Sequence, residues 1–477
     1  MDKKPNIIFI LTDDQGAWAM RCAGNADIHT PHLDYLAQNG VRFENFFCAS
    51  PVCSPARASI LTGCIPSQHG VHDWICSGNL DKESLGSMKD DPYYRCEDKP
   101  IQYLEGLRTY TDILHENGYT CALAGKWHLG DSMTPQHGYE KWFTIGRGGC
   151  LYYKADIVED GKVYYEDRYI TDVITDKAIS YIEELGGKDE PYYINVNYTA
   201  PHDPWDEDQH PKEFVELYRD CQFEATPNEP VHPNQIPTAP YGVGQVRKNL
   251  LRGYYAAVSA MDAGVGRIIE KLKEKGEFEN TIIIFTADNG MNMGHHGIWG
   301  KGNGTFPLNL YDTSVKVPFI VSYPNGIKGD RVCLDMASHY DIIHTLVDYL
   351  DIDERLEERL PGRSFKKSLL GESLEEQGIV ILDEYGPNRM IRTKEWKYIH
   401  RYPYGPHELY HLTEDSEEKN NLINEIHCKE IIEELKDALQ KWFVKYTDPH
   451  VDGTKEAVSG SGQYRKAGVY SEGKSVY

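Results

Sequence analysis

Two apolar runs constrain this chain more than any other feature. NIIFILTDD at 6–14 and TIIIFTADNG at 281–290 are both rich in β-branched and aromatic residues, and both end in acidic residues. Unbroken apolar runs of strand length suit strands buried on both faces, which requires a sheet with helices on either side. Helical patterns fall between such strands, around 106–117, 171–185 and 247–275. The expected fold is therefore an α/β/α sandwich with a mostly parallel central sheet. Ligands of open α/β sheets collect beyond the carboxyl ends of the strands, and both acidic pairs fall there.

A chain of 477 residues can bury a large core. The texture changes near residue 360, so the expectation is a larger unit at 1–360 and a C-terminal α+β unit at 361–477. In the latter, GIVILDEY, RMIRTKEWKYIHRY and HELYHL read as short antiparallel strands before a helix from roughly 427 to 446. The formal net charge is −24, with 50 basic against 74 acidic residues, which argues against nucleic acid or an anionic membrane surface as a general partner. The eleven cysteines are scattered without C-x-x-C pairs, the usage of reduced thiols rather than of a disulfide framework. The N-terminal apolar run is too short for a signal-peptide core and ends in two aspartates. No stretch approaches the roughly 18 apolar residues of a membrane span. These features together predict a cytoplasmic protein.

Two stretches read as long loops. Residues 76–105 are polar, and 203–245 hold Pro204, Pro211, Pro227, Pro230, Pro233, Pro237 and Pro240. Long loops in compact domains are usually functional or disordered, so these, together with the C-terminal unit, are the candidate walls of a binding pocket. Trp74, Tyr93, Tyr94, Tyr103 and Trp205 could stack there on a sugar or aryl ring, and His69, His72 and His296 lie near the motifs below.

The run Cys53-Ser54-Pro55-Ala56-Arg57 reads as a helix entrance, with Ser54 as N-cap, Pro55 in the first turn and Gly63 as the stop. Cys53 is then placed next to the positive end of a helix, a favourable position for an anion. Asp13, Asp14, Asp288 and Asn289 offer hard oxygen ligands at two strand ends, which favours Ca²⁺ or Mg²⁺ over zinc. AGKWHLG (124–130) carries Lys126 and His128, which an extended segment would point to one side. NYTAPHDPW (197–205) presents His202 on a loop, and HHGIWGKG (295–302) presents Lys301. The glycines around Lys301 do not have the spacing of a phosphate-binding G-x-x-x-x-G-K-[ST] loop. Singly, each fragment is more often structural: free cysteines are commonly buried, and acidic pairs commonly cap turns.

Taken in order, these fragments resemble the type I, formylglycine-dependent sulfatases of the alkaline phosphatase-like superfamily, with C-x-P-x-R at 53–57 as their signature. TSVKVPFIV (313–321) and the Leu-Tyr-x-Leu…Glu-x-x-Asn-Leu pattern within 408–422 extend the likeness over nearly the whole chain. The resemblance implies that a formylglycine-generating or anaerobic sulfatase-maturing enzyme oxidises Cys53 to formylglycine, whose aldehyde hydrate attacks sulfur in line. It implies one dication, usually Ca²⁺ with Mg²⁺ as the alternative, on Asp13, Asp14, Asp288, Asn289 and residue 53. It assigns Lys126, Lys301 and His202 to the sulfuryl oxygens, with His202 or Lys301 protonating the leaving oxygen. Asp288 helps to take up the attacking hydroxyl's proton, Arg57 and Lys126 hold the nucleophile, and His128 accepts the proton that lets the hydrate expel sulfate. The implied substrate is a small sulfate monoester of a sugar or of an aryl or alkyl alcohol. Ala56 departs from the serine many members carry. The competing readings are a phosphonate monoester or phosphodiester hydrolase with the same site, and a sulfated-glycan binding protein that is never matured.

Overall fold

The computed structural model describes residues 4–372, 374 and 380–477. A ten-stranded sheet forms the centre. Across it run Arg331–Ser338, Gly40–Phe47, Phe319–Ser322, Thr281–Ala287, Asn6–Thr12, Tyr192–Asn197, Thr120–Gly125, Tyr139–Ile145, Ala155–Glu159 and Lys162–Glu166. The four strands from Thr281–Ala287 to Thr120–Gly125 are neighbours and all parallel. Phe319–Ser322 is antiparallel to both of its neighbours, and a hairpin closes the far edge.

The apolar run at the N-terminus does what its sequence predicts. Along Asn6–Thr12 the side chains alternate faces, so Ile7, Phe9 and Leu11 enter one core while Ile8 and Ile10 enter the other. The first core is closed by the helices Cys53–Thr62, Tyr110–Glu116 and Ile342–Tyr349, the second by Ile170–Leu185 and the long Gly244–Glu274. The expected helix at 106–117 starts later, at Tyr110. Thr109 Oγ1 accepts the backbone N–H of Asp112 and the Asp112 side chain answers to Thr109 N, a capping box that fixes the first turn.

The two long connections are not wholly irregular. Within 76–105 the aspartates nucleate tight turns: Asp81 accepts from Glu83 N and Asp91 from Tyr93 N, which opens 3₁₀ segments at Lys82–Asp90 and Pro92–Tyr94. Within 203–245, Glu207–Gln209 and Lys212–Glu216 form short helical turns before the long helix begins at Gly244. No helix among the described residues is long and apolar enough to cross a membrane.

A second, antiparallel sheet of four strands, Ile381–Tyr385, Asn388–Arg392, Trp396–Arg401 and Glu408–His411, packs under the helix Lys429–Tyr446. RMIRTKEWKYIHRY supplies two strands joined by a turn rather than one, because Thr393 Oγ1 accepts from the N–H groups of Glu395 and Trp396 and reverses the chain. Gly378 and Ile379 of GIVILDEY lie outside the described residues.

A buried ionic cluster joins this sheet to the rest. Lys397 Nζ lies 2.9 Å from Asp312 Oδ1 and 2.7 Å from Glu418 Oε1, and Arg392 Nη2 lies 2.9 Å from Asp312 Oδ2. Asn421 Oδ1 accepts the N–H of Leu409. The Glu418-x-x-Asn421-Leu422 pattern is therefore a brace for the second sheet. Removing one partner of such a cluster strands a buried charge. Lys397→Met is accordingly expected to lower the unfolding free energy by about 3–5 kcal/mol, read from urea denaturation; a loss under about 1 kcal/mol would show that the cluster contributes little.

Candidate active site

Because four neighbouring strands run parallel, their carboxyl ends open on one edge of the sheet. Asp13 and Asp14 follow Thr12, Asp288 and Asn289 follow Ala287, Lys126 follows Gly125, and His202 lies just beyond Asn197. Hydrogen bonds continue past the strand ends, from Asp288 N to Thr12 O (3.0 Å), Lys126 N to Asn197 O (2.8 Å) and Asp13 N to Ala200 O (3.1 Å). Asp14 has a φ of 61°, a left-handed conformation that Asp tolerates better than most residues. Successive side chains of an extended strand point to opposite faces, and this turn lets both carboxylates enter one site.

The helix Cys53–Thr62 enters the same place from the first core. Its N-terminal residue is Cys53 itself, preceded by an extended Val52, and Gly63 closes it in the left-handed region at φ 70°. Ser54 is thus inside the helix rather than its N-cap, and its Oγ accepts the N–H of Ile75 (3.0 Å). Cys53 Sγ lies 3.3 Å from Asp13 Oδ1, 3.9 Å from Asp14 Oδ1 and 2.6 Å from Lys301 Nζ.

Each carboxylate has its own cation. Lys126 Nζ pairs with Asp13 Oδ2, Lys301 Nζ with Asp14 Oδ1 at 2.5 Å, and Arg57 Nε donates to Asp288 Oδ2 at 2.9 Å. Burial alone would raise the pKa of Asp13, but Lys126 and His202 outweigh it and bring it down to about 2. Asp288 goes the other way, raised by burial and then by the neighbouring Asp13. Burial and Asp13 also push the Cys53 thiol far above the ordinary range, which keeps it protonated and a weak nucleophile.

The two histidines are poised oppositely. His128 Nε2 is 3.1 Å from the Ile75 carbonyl, which can only accept, so Nε2 carries the hydrogen and Nδ1 keeps a bare lone pair. Burial and the charges of Lys126 and Arg57 hold His128 neutral, and Nδ1 has no hydrogen-bond partner among the described residues. For His202 burial would lower the pKa, but Asp14, Asp203 and Asp13 outweigh it and raise it. Its Nδ1 donates to the Asp203 carbonyl at 2.8 Å, and Nε2 sits 3.6 Å from Asp14 Oδ2.

All ten predicted site residues meet here, in two layers. Asp14, Cys53, His128, His202 and Lys301 line a cavity of about 700 Å³, while Asp13, Arg57, Lys126, Asp288 and Asn289 lie buried beneath it. Lys126 and His128 therefore do not share one side: the strand ends at Gly125, and His128 turns away at φ 56°. Of the five predicted aromatics, Trp74, Tyr93 and Trp205 reach the cavity. Tyr94 packs instead with Leu80, Leu85 and Val158, and Tyr103 is buried with its hydroxyl on the Ser77 carbonyl. His69 and His72 are buried outside the lining, and His296 stacks on Tyr311 at 4.0 Å.

A family profile described as Sulfatase matches residues 5–352, and one described as N-sulphoglucosamine sulphohydrolase, C-terminal, matches residues 294–445. The chain belongs to the sulfatase family. It is 27% identical to an N-acetylglucosamine-6-O-sulfatase of Bacteroides thetaiotaomicron over 97% of this chain and 90% of that protein. It is 28% identical to an arylsulfatase of Clostridium perfringens over 95% of this chain and 97% of that protein. The fold also matches, at TM-score 0.75 and 24% identity, a protein solved in complex with its substrate D-glucosamine-2-N,6-O-disulfate, covering 94% of this chain and 99% of that one. The protein is thus a sulfuric ester hydrolase of the alkaline phosphatase-like fold.

Sequence reading missed parts of this sulfatase's cavity wall. Arg147 to Leu151, Asn303 and Gly460 line it, beside Ile236, Thr238, Ala239 and Pro240 of the expected 203–245 loop. The GRGGC run after an apolar strand was a usable signal, whereas nothing in the C-terminal sequence marked Gly460. The tail beyond residue 446 returns to the site, where Gln463 pairs with the segment that supports His128. The Gln463 side chain accepts from His72 N (2.8 Å) and Asp73 N (3.3 Å) and donates to the Gly70 carbonyl (3.0 Å), and Cys76 N donates to the Gln463 carbonyl (2.9 Å). Gln463→Leu removes the side-chain partner of the His72 and Asp73 N–H groups and of the Gly70 carbonyl, leaving the backbone bond to Cys76 N, so it is expected to cost about 3 kcal/mol or more. Hydrogen exchange should accelerate selectively at residues 70–76; unchanged protection there would show that the tail does not hold this segment.

Proposed function

We propose that this sulfatase cleaves the sulfate monoester of a sulfated sugar with residue 53 in its formylglycine form, and that one Ca²⁺ or Mg²⁺ is held beside it. The observation carrying this reading is the meeting of Cys53 with three carboxylates and Lys301 at the floor of a cavity that also takes in His128 and His202. The donor set fits a hard dication. Carboxylate oxygens of Asp13, Asp14 and Asp288 lie within 4.8 Å of one another, and the buried Asn289 Oδ1 has no hydrogen-bond partner among the described residues. Formylglycine would supply a hydrated aldehyde with one hydroxyl to attack and one to release. The ion would supply fixed positive charge at developing oxyanions.

The chain's own residues do the rest. Lys126 and Arg57 hold Asp13 and Asp288 in place from beneath the cavity. Lys301 and His202, whose charged form Asp14, Asp203 and Asp13 favour, bind and orient the sulfate oxygens from its wall, and preorganised charges of this kind are usually the largest catalytic term. His202 Nε2 donates the proton to the departing alcohol, since Nδ1 is committed to the Asp203 carbonyl. His128 Nδ1, neutral and unpartnered, accepts the proton that frees sulfate. The sugar assignment draws on what two similar proteins are named for or were solved with, glucosamine sulfates, and on Trp74, Tyr93 and Trp205 as surfaces for a sugar ring.

The test is co-expression with a formylglycine-generating or anaerobic sulfatase-maturing enzyme, followed by kcat/KM on matched sulfate, phosphonate and phosphodiester esters, with Cys53→Ala as blank. The expectation is a Cys53 peptide lighter than the unmodified one and a preference for sulfate by several orders of magnitude. A preference for the phosphorus esters would replace the reaction while keeping the site, and binding without turnover by matured protein would favour a glycan-binding role. His128→Asn should retain a first-turnover burst of alcohol while steady-state kcat falls by about 10²–10⁴-fold; equal loss of burst and steady state would remove His128 from the second step.

A further inference from the structure

We propose that Arg147 reads a second anionic group, sulfo or carboxylate, on the alcohol that bears the scissile sulfate. The inference rests on the sulfated-sugar reading of this cavity and names the class of sugar it takes. Arg147 follows the strand Tyr139–Ile145 in the sequence Gly146-Arg147-Gly148-Gly149. The glycines mark where this loop passes the catalytic histidines. A Cβ built on Gly148 would lie 2.1 Å from His128 Nε2, and one on Gly149 would lie 3.8 Å from His202 Cε1. Arg147 is therefore one residue, about 3.8 Å of backbone, from direct contact with His128, and it lines the same cavity.

The guanidinium is fixed by the protein rather than left to solvent. Nε donates to Glu97 Oε1 at 3.1 Å, Nη1 donates to the Tyr93 carbonyl, and the guanidinium carbon lies 4.5 Å from the centroid of the Tyr93 ring. Glu97 is itself pinned, accepting from Asn79 N (2.9 Å), Asn79 Nδ2 (3.0 Å) and Leu80 N (3.2 Å). This leaves Nη2, which bonds to no protein atom among the described residues, on a side chain 15% exposed. The other cations of the cavity wall already have work. Lys301 sits on Asp14 and Cys53, and His202 lies between Asp14 and Asp203. Arg147 alone among the charged lining groups faces no residue of the metal and nucleophile cluster. A planar fork with two of its three nitrogens immobilised is preorganised for an oxyanion, so little rotamer entropy is lost on binding one.

The inference is tested first on Cys53→Ala protein, which needs no maturation. Its calorimetric affinity is compared for N-acetyl-D-glucosamine-6-O-sulfate, for D-glucosamine-2-N,6-O-disulfate, and for a 6-O-sulfated glucosaminyl-uronate disaccharide. Matured wild-type enzyme is then compared on the same three by kcat/KM. The expected result is that at least one dianionic ligand is favoured by about ten- to a hundredfold. Which of the two is favoured tells a sulfo from a carboxylate partner. Arg147→Gln should abolish that ratio, lowering affinity for the dianionic ligand by about ten- to a hundredfold more than for the monosulfate, while Arg147→Lys, which keeps a charge beside Glu97, should retain part of it. No preference for either dianion, or an equal loss on mono- and dianionic ligands in both variants, would overturn the proposal and leave Arg147 a brace between residues 93–97 and 146–150. Matured wild type that hydrolyses none of the three would instead overturn the sugar assignment, while the binding comparison would still report on Arg147.

Discussion

Three buried carboxylates, each neutralised by its own cation, are the constraint on which the rest of this sulfatase depends. Asp13 with Lys126, Asp14 with Lys301 and Asp288 with Arg57 meet where water is nearly absent. Charges taken out of water at that depth persist only when well paired, and three like charges this close cannot all ionise without compensation. The arrangement is therefore a poised excess of electrostatic tension, relieved by lysines and arginine. It is suited to exchange part of that compensation for a dication and a sulfate ester.

Holding six such groups in register requires a stiff support, and the central sheet provides it. Four parallel strands hydrogen-bonded side by side end at one edge, and backbone hydrogen bonds run beyond the last paired residues into the site. Both faces of these strands are packed, so a carboxylate at a strand end inherits the rigidity of two cores. Cys53 comes from the opposite side, on the first turn of a helix that is buried along its whole length.

The walls of the cavity follow a different logic. They come from distant pieces of chain, the loop after Tyr139–Ile145, the proline-rich connection and the C-terminal tail, which converge above a fixed floor. Stable catalytic groups on strand and helix ends, with variable loops around them, allow one reaction to be directed at different alcohols. Arg147, anchored through Glu97 and Tyr93, belongs to this outer layer, although its neighbour Gly148 packs so closely on His128 that a side chain there would clash.

The apolar runs at 6–14 and 281–290, with helical patterns between them, determined the buried, mostly parallel sheet, because strands apolar on both faces need a covering layer on each side and the intervening helices supply it. Asp13, Asp14, Asp288 and Asn289 were legible as polar residues at the ends of those runs, whereas Cys53, Arg57, Lys126, His128, His202 and Lys301 stood out only through the resemblance of their motifs, taken in order, to the sulfatases. What only the tertiary structure decided is which of them face substrate. Lys126 and His128 are two residues apart, yet one is buried on Asp13 and the other lines the cavity, because the strand ends at Gly125 and His128 itself is in the left-handed region. Ser54 likewise looked like a cap, but the helix began two residues earlier than that cap implies and its hydroxyl went to Ile75. What anchors Arg147 and Gln463 was out of reach for the same physical reason, although the glycines around Arg147 were a visible signal. Their partners, Glu97 and the backbone of 70–73, are 50 and 390 or so residues away in sequence, and contacts across such separations leave no periodicity or local propensity to read.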